Sequence, residues 1–116
     1  MKVKRGEIFM ADLGDVSAFE QSNVQKGYRP VVIIQSDITT KNSNVVVVAP
    51  VTTTYKKSTM RTHVKIGGEC GISKKSVVLL EQIQTIDKYM LSKKIGKLDS
   101  EKLKEIRKAI MFTLDL

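Results

Sequence analysis

Apolar residues in this chain cluster in short runs separated by polar and glycine-rich breaks, and only after Asp99 does their spacing become helical. Glu7 to Leu13 mixes apolar and polar residues at short period and predicts a first strand. Arg29 to Gln35 is an apolar run entered through Pro30, a residue that a strand accepts at its first position. Val45 to Val51 predicts a second buried strand, Thr62 to Ile66 a short alternating one, and Ser76 to Leu80 another buried one leading into Gln82 to Thr85. The breaks are a polar stretch from Gly14 to Tyr28, a polar connection from Asp37 to Asn44, a basic turn from Lys56 to Thr62, and a turn marked by Gly67, Gly68 and Gly71. Loops as long as the first of these are, in compact domains, usually functional or disordered. Leu103, Ile106, Ile110 and Leu114 then recur at helical spacing, with Asp99 or Ser100 as cap and Lys102, Lys104, Arg107 and Lys108 largely on the outer face. Short strands with one terminal helix predict a mostly β (α+β) fold.

The length, 116 residues, suits a single domain over 1–116. A formal net charge of +8 makes an acidic partner plausible, and the distribution of charge says more than its sum. Between Asp37 and Glu69 there is no acid, yet Lys41, Lys56, Lys57, Arg61 and Lys65 all fall there. A local field of one sign suits a polyphosphate chain better than a membrane. No apolar run is long enough to span a bilayer, and no amphipathic helix carries the basic cluster. Met1-Lys2-Val3-Lys4-Arg5 is not followed by the apolar stretch of a signal peptide, so a cytoplasmic location is expected. Cys70 is the only cysteine, which excludes an intrachain disulfide or a CxxC metal site.

Common hydrolytic constellations are absent from the sequence. His63 is the single histidine, without HxH or HxxxH spacing, and reads as a satisfied strand residue; no metal or other cofactor is expected. Gly67-Gly68 precedes no GK[ST], so there is no phosphate loop of that type. RNA cleavage needs less apparatus. The ribose 2′-hydroxyl is a nucleophile tethered beside its own phosphate, so proximity comes with the substrate. The protein has to hold the chain in line, assist proton transfer and stabilise charge on the phosphoryl oxygens. An arginine fork suits the last task, and a threonine hydroxyl can donate or accept at a reacting oxygen.

Three stretches bring such residues together in one order: Gly27-Tyr28-Arg29-Pro30-Val31-Val32-Ile33-Ile34-Gln35-Ser36-Asp37, Val48-Ala49-Pro50-Val51-Thr52-Thr53-Thr54, and Ser76-Val77-Val78-Leu79-Leu80-Glu81-Gln82-Ile83-Gln84-Thr85-Ile86-Asp87. With Lys4-Arg5-Gly6-Glu7-Ile8 before them, they resemble the MazF/PemK family of toxin endoribonucleases, from Val3 to the C-terminal helix. The resemblance implies a small SH3-like barrel with appended helices, working as a homodimer, and a cognate antitoxin whose flexible tail covers the RNA groove. It implies a metal-independent cut in single-stranded RNA that leaves a 2′,3′-cyclic phosphate and a free 5′-hydroxyl. In one branch of the family the catalytic pair is the arginine of an RPV motif and the first threonine after an apolar strand, here Arg29 and Thr52. Arg29 is assigned to phosphate stabilisation, with assistance to the leaving group as a second role, and Thr52 to proton handling or positioning, with Thr53 as the neighbour most easily confused with it.

For binding, Phe19 and Tyr55 are candidates to stack bases, and Glu20, Gln21, Gln82 and Gln84 to contact base edges. Lys56, Lys57 and Arg61 are candidates to neutralise phosphates. The chain departs from the family branch at one place. The branch carries Gly-Ser-Glu-Gln, three residues, then the arginine; here Ala18-Phe19-Glu20-Gln21 is followed by seven residues, Ser22 to Tyr28, before Arg29. Loops accept such insertions at little thermodynamic cost, so the departure bears on cleavage sequence and antitoxin fit rather than on the fold. Two other functions stay open. One is a non-enzymatic toxin on the same barrel that inhibits DNA gyrase, as CcdB-like proteins do; the other is an RNA-binding module without turnover.

Overall fold

One strand, β3 (Val45–Thr52), organises the molecule by pairing along both of its edges. The computed structural model describes residues 2–15, 23–55 and 57–116. In chain order β1 (Glu7–Asp12) and β2 (Tyr28–Ile33) are followed by a short helix α1 (Asp37–Lys41), β3, β4 (His63–Ile66), β5 (Ser76–Leu79), β6 (Gln84–Asp87), β7 (Leu91–Lys97) and α2 (Ser100–Leu114). All pairings are antiparallel, in the order β4-β5-β3-β2-β1-β7, with β6 also on β3. β2 lies along one edge of β3; β5 and β6 share the other.

That shared edge contains an offset. Val78 pairs with Val51 and Gln84 pairs with Val48, so three steps along β3 are matched by six on its partner. The excess is taken up by a 3₁₀ turn, Leu80–Gln82. Leu80 anchors the turn in the core, fully buried, while Glu81 is pushed outward.

The strands read as unbroken apolar runs because the sheet is buried on both faces. Val31 and Ile33 face one core with Phe9, Val46 and Val48. Val32 and Ile34 face the other with Ile8, Ala49, Val51 and the inner side of α2, Ile106 and Ala109. Each such Val, Ile or Phe side chain contributes about 1.5–3 kcal/mol on burial. Asp99 is the helix cap, its carboxylate accepting from the Lys102 N–H at 2.8 Å. Leu114, part of the expected apolar stripe, is half exposed.

Two strands escape the sequence pattern. β6 extends to Asp87, past the expected end at Thr85. β7 is absent from the sequence-based expectation because it alternates poorly: only Leu91 is buried, and three of its seven residues are lysines. It lies at the end of the sheet order, where lysines deter further strand pairing. Two register shifts against β1 curl it. The result is a folded-over, barrel-like sheet whose ladder is open between β4 and β7. Its two ends still meet, through the backbone of Cys70–Gly71 and Ile95–Gly96.

Candidate active site

β2 and β3 pair Val31 with Pro50, Val32 with Ala49 and Ile33 with Val48. Continuing this register by two residues sets Arg29 opposite Thr52, at the end of the face that carries Val31 and Val48. The ladder itself ends at Val31–Pro50, so Arg29 on β2 and Thr52 at the end of β3 lie just past its last pair. Arg29 is partly buried, and its Nε donates to the Lys26 carbonyl at 2.8 Å, which fixes the plane of the guanidinium. Among the described residues no carboxylate pairs with it. Burial pulls its pKa down from the ordinary arginine value. Arginine nevertheless stays charged in proteins, so burial leaves a cation with less water around it and a stronger pull on an anion. Thr52 is buried at the end of β3; its hydroxyl accepts from the Thr54 N–H at 3.2 Å and donates to Thr54 Oγ1 at 3.1 Å.

The long loop before Arg29 is fastened at its base and on its flank. Leu13 N–H donates to the Gly27 carbonyl, and Gly27 N–H to that of Gly14, at 2.8 and 2.9 Å. Gln82, on the 3₁₀ turn, accepts from the Gln25 N–H at 2.8 Å and donates to the Asn23 carbonyl at 3.1 Å. Both ends of this amide hold the loop.

The same turn holds a second loop, between β3 and β4. Glu81 Oε2 lies 2.8 Å from His63 Nε2, and His63 Nδ1 lies 2.7 Å from Ser58 Oγ. An ionised carboxylate only accepts, so Nε2 carries a proton and, in the neutral ring, Nδ1 accepts from the serine hydroxyl. His63 is 3% exposed at its side chain, and the Tyr55 ring lies 5.7 Å from its own. The expectation of a satisfied strand histidine describes its two bonds. The sequence marks Glu81 only as part of the stretch that resembles the family, with no role of its own, and gives no signal for Ser58.

The remaining candidates divide. Thr53, Tyr55 and Lys57 are exposed on the β3–β4 loop, just past Thr52. Arg61 is exposed too, but its guanidinium stacks 4.1 Å above the Phe112 ring near the end of α2. Gln84 lies on β6 opposite Val48, and its Nε2 is buried without a partner among the described residues. It lines a cavity of about 260 Å³ with Leu13, Gly14, Ile86 and Met90. Phe19, Glu20, Gln21 and Lys56 lie outside the described residues. Cys70 is buried, and burial followed by the charge of Glu69 pushes its thiol pKa up, so it is a poor nucleophile. Among the described residues, no three His, Cys, Asp or Glu side chains cluster closely enough to hold a metal ion.

Comparison with known proteins gives the family. A sequence model of the family described as "PemK-like, MazF-like toxin of type II toxin-antitoxin system" matches residues 4–114. Endoribonuclease EndoA of Bacillus subtilis (strain 168) is 42% identical over 117 aligned positions, which cover 100% of this chain and 97% of that protein. Endoribonuclease MazF of Staphylococcus saprophyticus is 43% identical over 115, covering 98% and 92%. Among solved structures, Mycobacterium tuberculosis toxin MazF-mt6 superposes with a TM-score of 0.79 at 28% identity, covering 95% of this chain and 97% of that one. A mycobacterial endoribonuclease in complex with its cognate antitoxin shares the fold, with a TM-score of 0.81 at 24% identity and coverage of 98% and 96%. These full-length likenesses to proteins named as endoribonucleases do not favour the gyrase-inhibitor alternative. The chain belongs to the PemK-like, MazF-like toxins of type II toxin–antitoxin systems.

Proposed function

We propose that the whole chain, as one toxin domain, is a sequence-selective endoribonuclease that cuts single-stranded RNA without a metal ion, with Arg29 and Thr52 as its catalytic residues. The observation that carries this reading is the β2–β3 register, whose last pair is Val31–Pro50 and which, continued by two residues, brings the charged Arg29 opposite Thr52. In the proposed step the 2′-oxygen attacks the adjacent phosphorus in line. The new O2′–P bond closes a 2′,3′-cyclic phosphate, the P–O5′ bond breaks, and the proton lost from O2′ is balanced by one gained at O5′. Arg29, oriented through its Nε bond to Lys26, stabilises the charge that grows on the non-bridging oxygens. Thr52 positions the reacting oxygen or relays its proton. Gln82 acts here by holding the loop in front of Arg29, Gln84 keeps its base-contact role only if binding uncovers its buried, unpaired amide nitrogen, and Tyr55 offers a stacking face. Phe19, Glu20 and Gln21 extend the base-reading surface, and Lys56, Lys57 and Arg61 the phosphate-neutralising one.

The family assignment supports two further parts of the reading: an antitoxin whose tail occupies the RNA groove, and a homodimer. Met111, Phe112, Leu114 and Leu116 expose apolar surface at the end of α2, in keeping with a second copy packing there. No helix among the described residues is long and apolar enough to cross a membrane, and the proposed location is the cytoplasm, where the substrate is.

Purified protein incubated with a long unstructured RNA in EDTA should give discrete cuts with cyclic-phosphate ends. Arg29→Ala should slow cutting by about 10²–10³-fold, the usual loss for one preorganised donor at a developing oxyanion. Intact RNA with folded wild-type protein would overturn the enzymatic reading.

A further inference from the structure

The segment between the turn at Gly68–Cys70 and β5 is short, polar and anchored at both ends. Ile72 is buried before it, and Ser76 is buried after it, with its hydroxyl donating to the Lys74 carbonyl at 2.9 Å. Lys74 and Lys75 are therefore presented from a fixed stretch of backbone, both exposed. Its place beside the catalytic pair follows from register: Val77 pairs with Thr52, so the two lysines enter β5 next to Thr53. Lys74, Lys75, Lys57 and Thr53 line one concavity of about 690 Å³. Among the described residues three cations and no carboxylate line it. Among the described residues none of the three makes an ion pair. Like charges gathered in one basin repel each other, and a polyanion relieves that repulsion. Neither Lys74 nor Lys75 is among the residues that the family resemblance singles out.

We propose that Lys57, Lys74 and Lys75, with the Thr53 hydroxyl, form a backbone-phosphate subsite that holds the RNA strand as it leaves the Arg29–Thr52 pair. The inference rests on the endoribonuclease reading for its ligand. The chemistry is that of flexible ammonium groups around a chain of phosphates, so the subsite sets affinity and register without reading bases. Single-stranded RNA is favoured over an acidic protein tail because the basin continues directly from Thr52 through Thr53 along the proposed path of the scissile strand.

The test uses two RNAs of one sequence: a fully 2′-O-methylated form, which lacks the nucleophile and reports binding alone, and the unmodified form, which reports cleavage. Lys74→Ala/Lys75→Ala changes only exposed side chains, and its thermal unfolding is checked against the wild type. The double variant should bind the 2′-O-methyl RNA about tenfold more weakly near 0.1 M salt. Its slope of log Kd against log salt should be shallower by about 1.4, two phosphate contacts at roughly 0.7 each for a single strand. On unmodified RNA, KM should rise with kcat within about twofold, and the cut positions should not move. An unchanged Kd and salt slope would overturn the subsite, as would a variant that loses inhibition by the antitoxin while binding RNA normally. Failure of the wild type to cut the unmodified RNA would instead overturn the enzymatic reading and leave the binding comparison to decide the subsite on its own.

Discussion

Thr52 has two occupations that a substitution can separate. Its hydroxyl closes a turn with Thr54, and in the proposed mechanism it also handles or positions a proton. Thr52→Val keeps the shape and removes the hydroxyl; losing one such hydrogen bond costs about 1 kcal/mol of stability. If Thr52 acts in catalysis, kcat should fall by about 10²-fold, the lower end of what a positioned proton carrier contributes. Thr52→Ser should stay within about tenfold of the wild type, and Thr54→Ala, which breaks the hydroxyl pair but spares Thr52, should cut RNA almost normally. Equal losses in Thr52→Val and Thr54→Ala, measured as kcat beside unfolding midpoints, would reduce Thr52 to a turn residue. Arg29 and Thr52 were singled out because their motifs resemble the family's catalytic pair; the apolar pattern by itself shows only that each stands at one end of a strand. What was illegible is how side chains share their bonds. Gln82 and Gln84 look alike in the sequence, yet one amide is used twice by a loop backbone and the other is buried with a free N–H. That difference follows from the three residues by which the β3 partner overshoots, and local pattern does not encode such an offset.

The 3₁₀ turn at Leu80–Gln82 fastens two loops with adjacent side chains, Gln82 on the loop before Arg29 and Glu81, through His63, on the β3–β4 loop. The second fastening is two bonds in series, Glu81 to His63 and His63 to Ser58, so the hold on the loop is that of the His63–Ser58 bond. His63→Ala removes both His63 bonds and leaves Ser58 and Glu81 without a link. The β3–β4 loop should then open more often, and limited trypsin digestion should cut after Lys57 or Arg61 about tenfold faster, the factor that corresponds to losing about 1.4 kcal/mol of local stability. Glu81→Gln keeps an acceptor for Nε2–H and should be cut near the wild-type rate. Equal rates in all three proteins would show that the loop is held by something other than this chain of bonds. At this scale the sequence was most readable where strands are buried on both faces, as in β2 and β3. It was least readable in β7, whose lysines obey the demands of a sheet edge rather than those of a core.

The whole molecule depends on how its sheet comes round on itself. β4 and β7 stand at the ends of the ladder, and no strand pairing joins them among the described residues. The backbones come close there: a Cβ added to Gly96 would lie 2.0 Å from the Cys70 carbonyl oxygen, and one on Gly71 would lie 3.0 Å from that of Ile95. The Gly71 backbone also has φ of +85°, a region that L side chains rarely adopt. Gly96 is the cleaner probe, since only the close approach constrains it. Gly96→Ala forces two backbones apart, a steric insertion that costs about 1–3 kcal/mol and lowers the melting temperature by roughly 4–12 °C in a domain of this size. Gly68→Ala is the control, because its Cβ meets nothing within 4 Å; it should melt close to the wild type. The two variants differ in function as well. Gly71 begins the segment that carries Lys74 and Lys75, so spreading the seam at Gly96 displaces that basin and leaves the β2–β3 register untouched. Gly96→Ala, assayed well below its melting temperature, should therefore show a raised KM for RNA with kcat nearly preserved. If instead it melts and cleaves like Gly68→Ala, the two ends of the sheet are not in contact in solution, and the lysine segment is held by Ile72 and Ser76 alone.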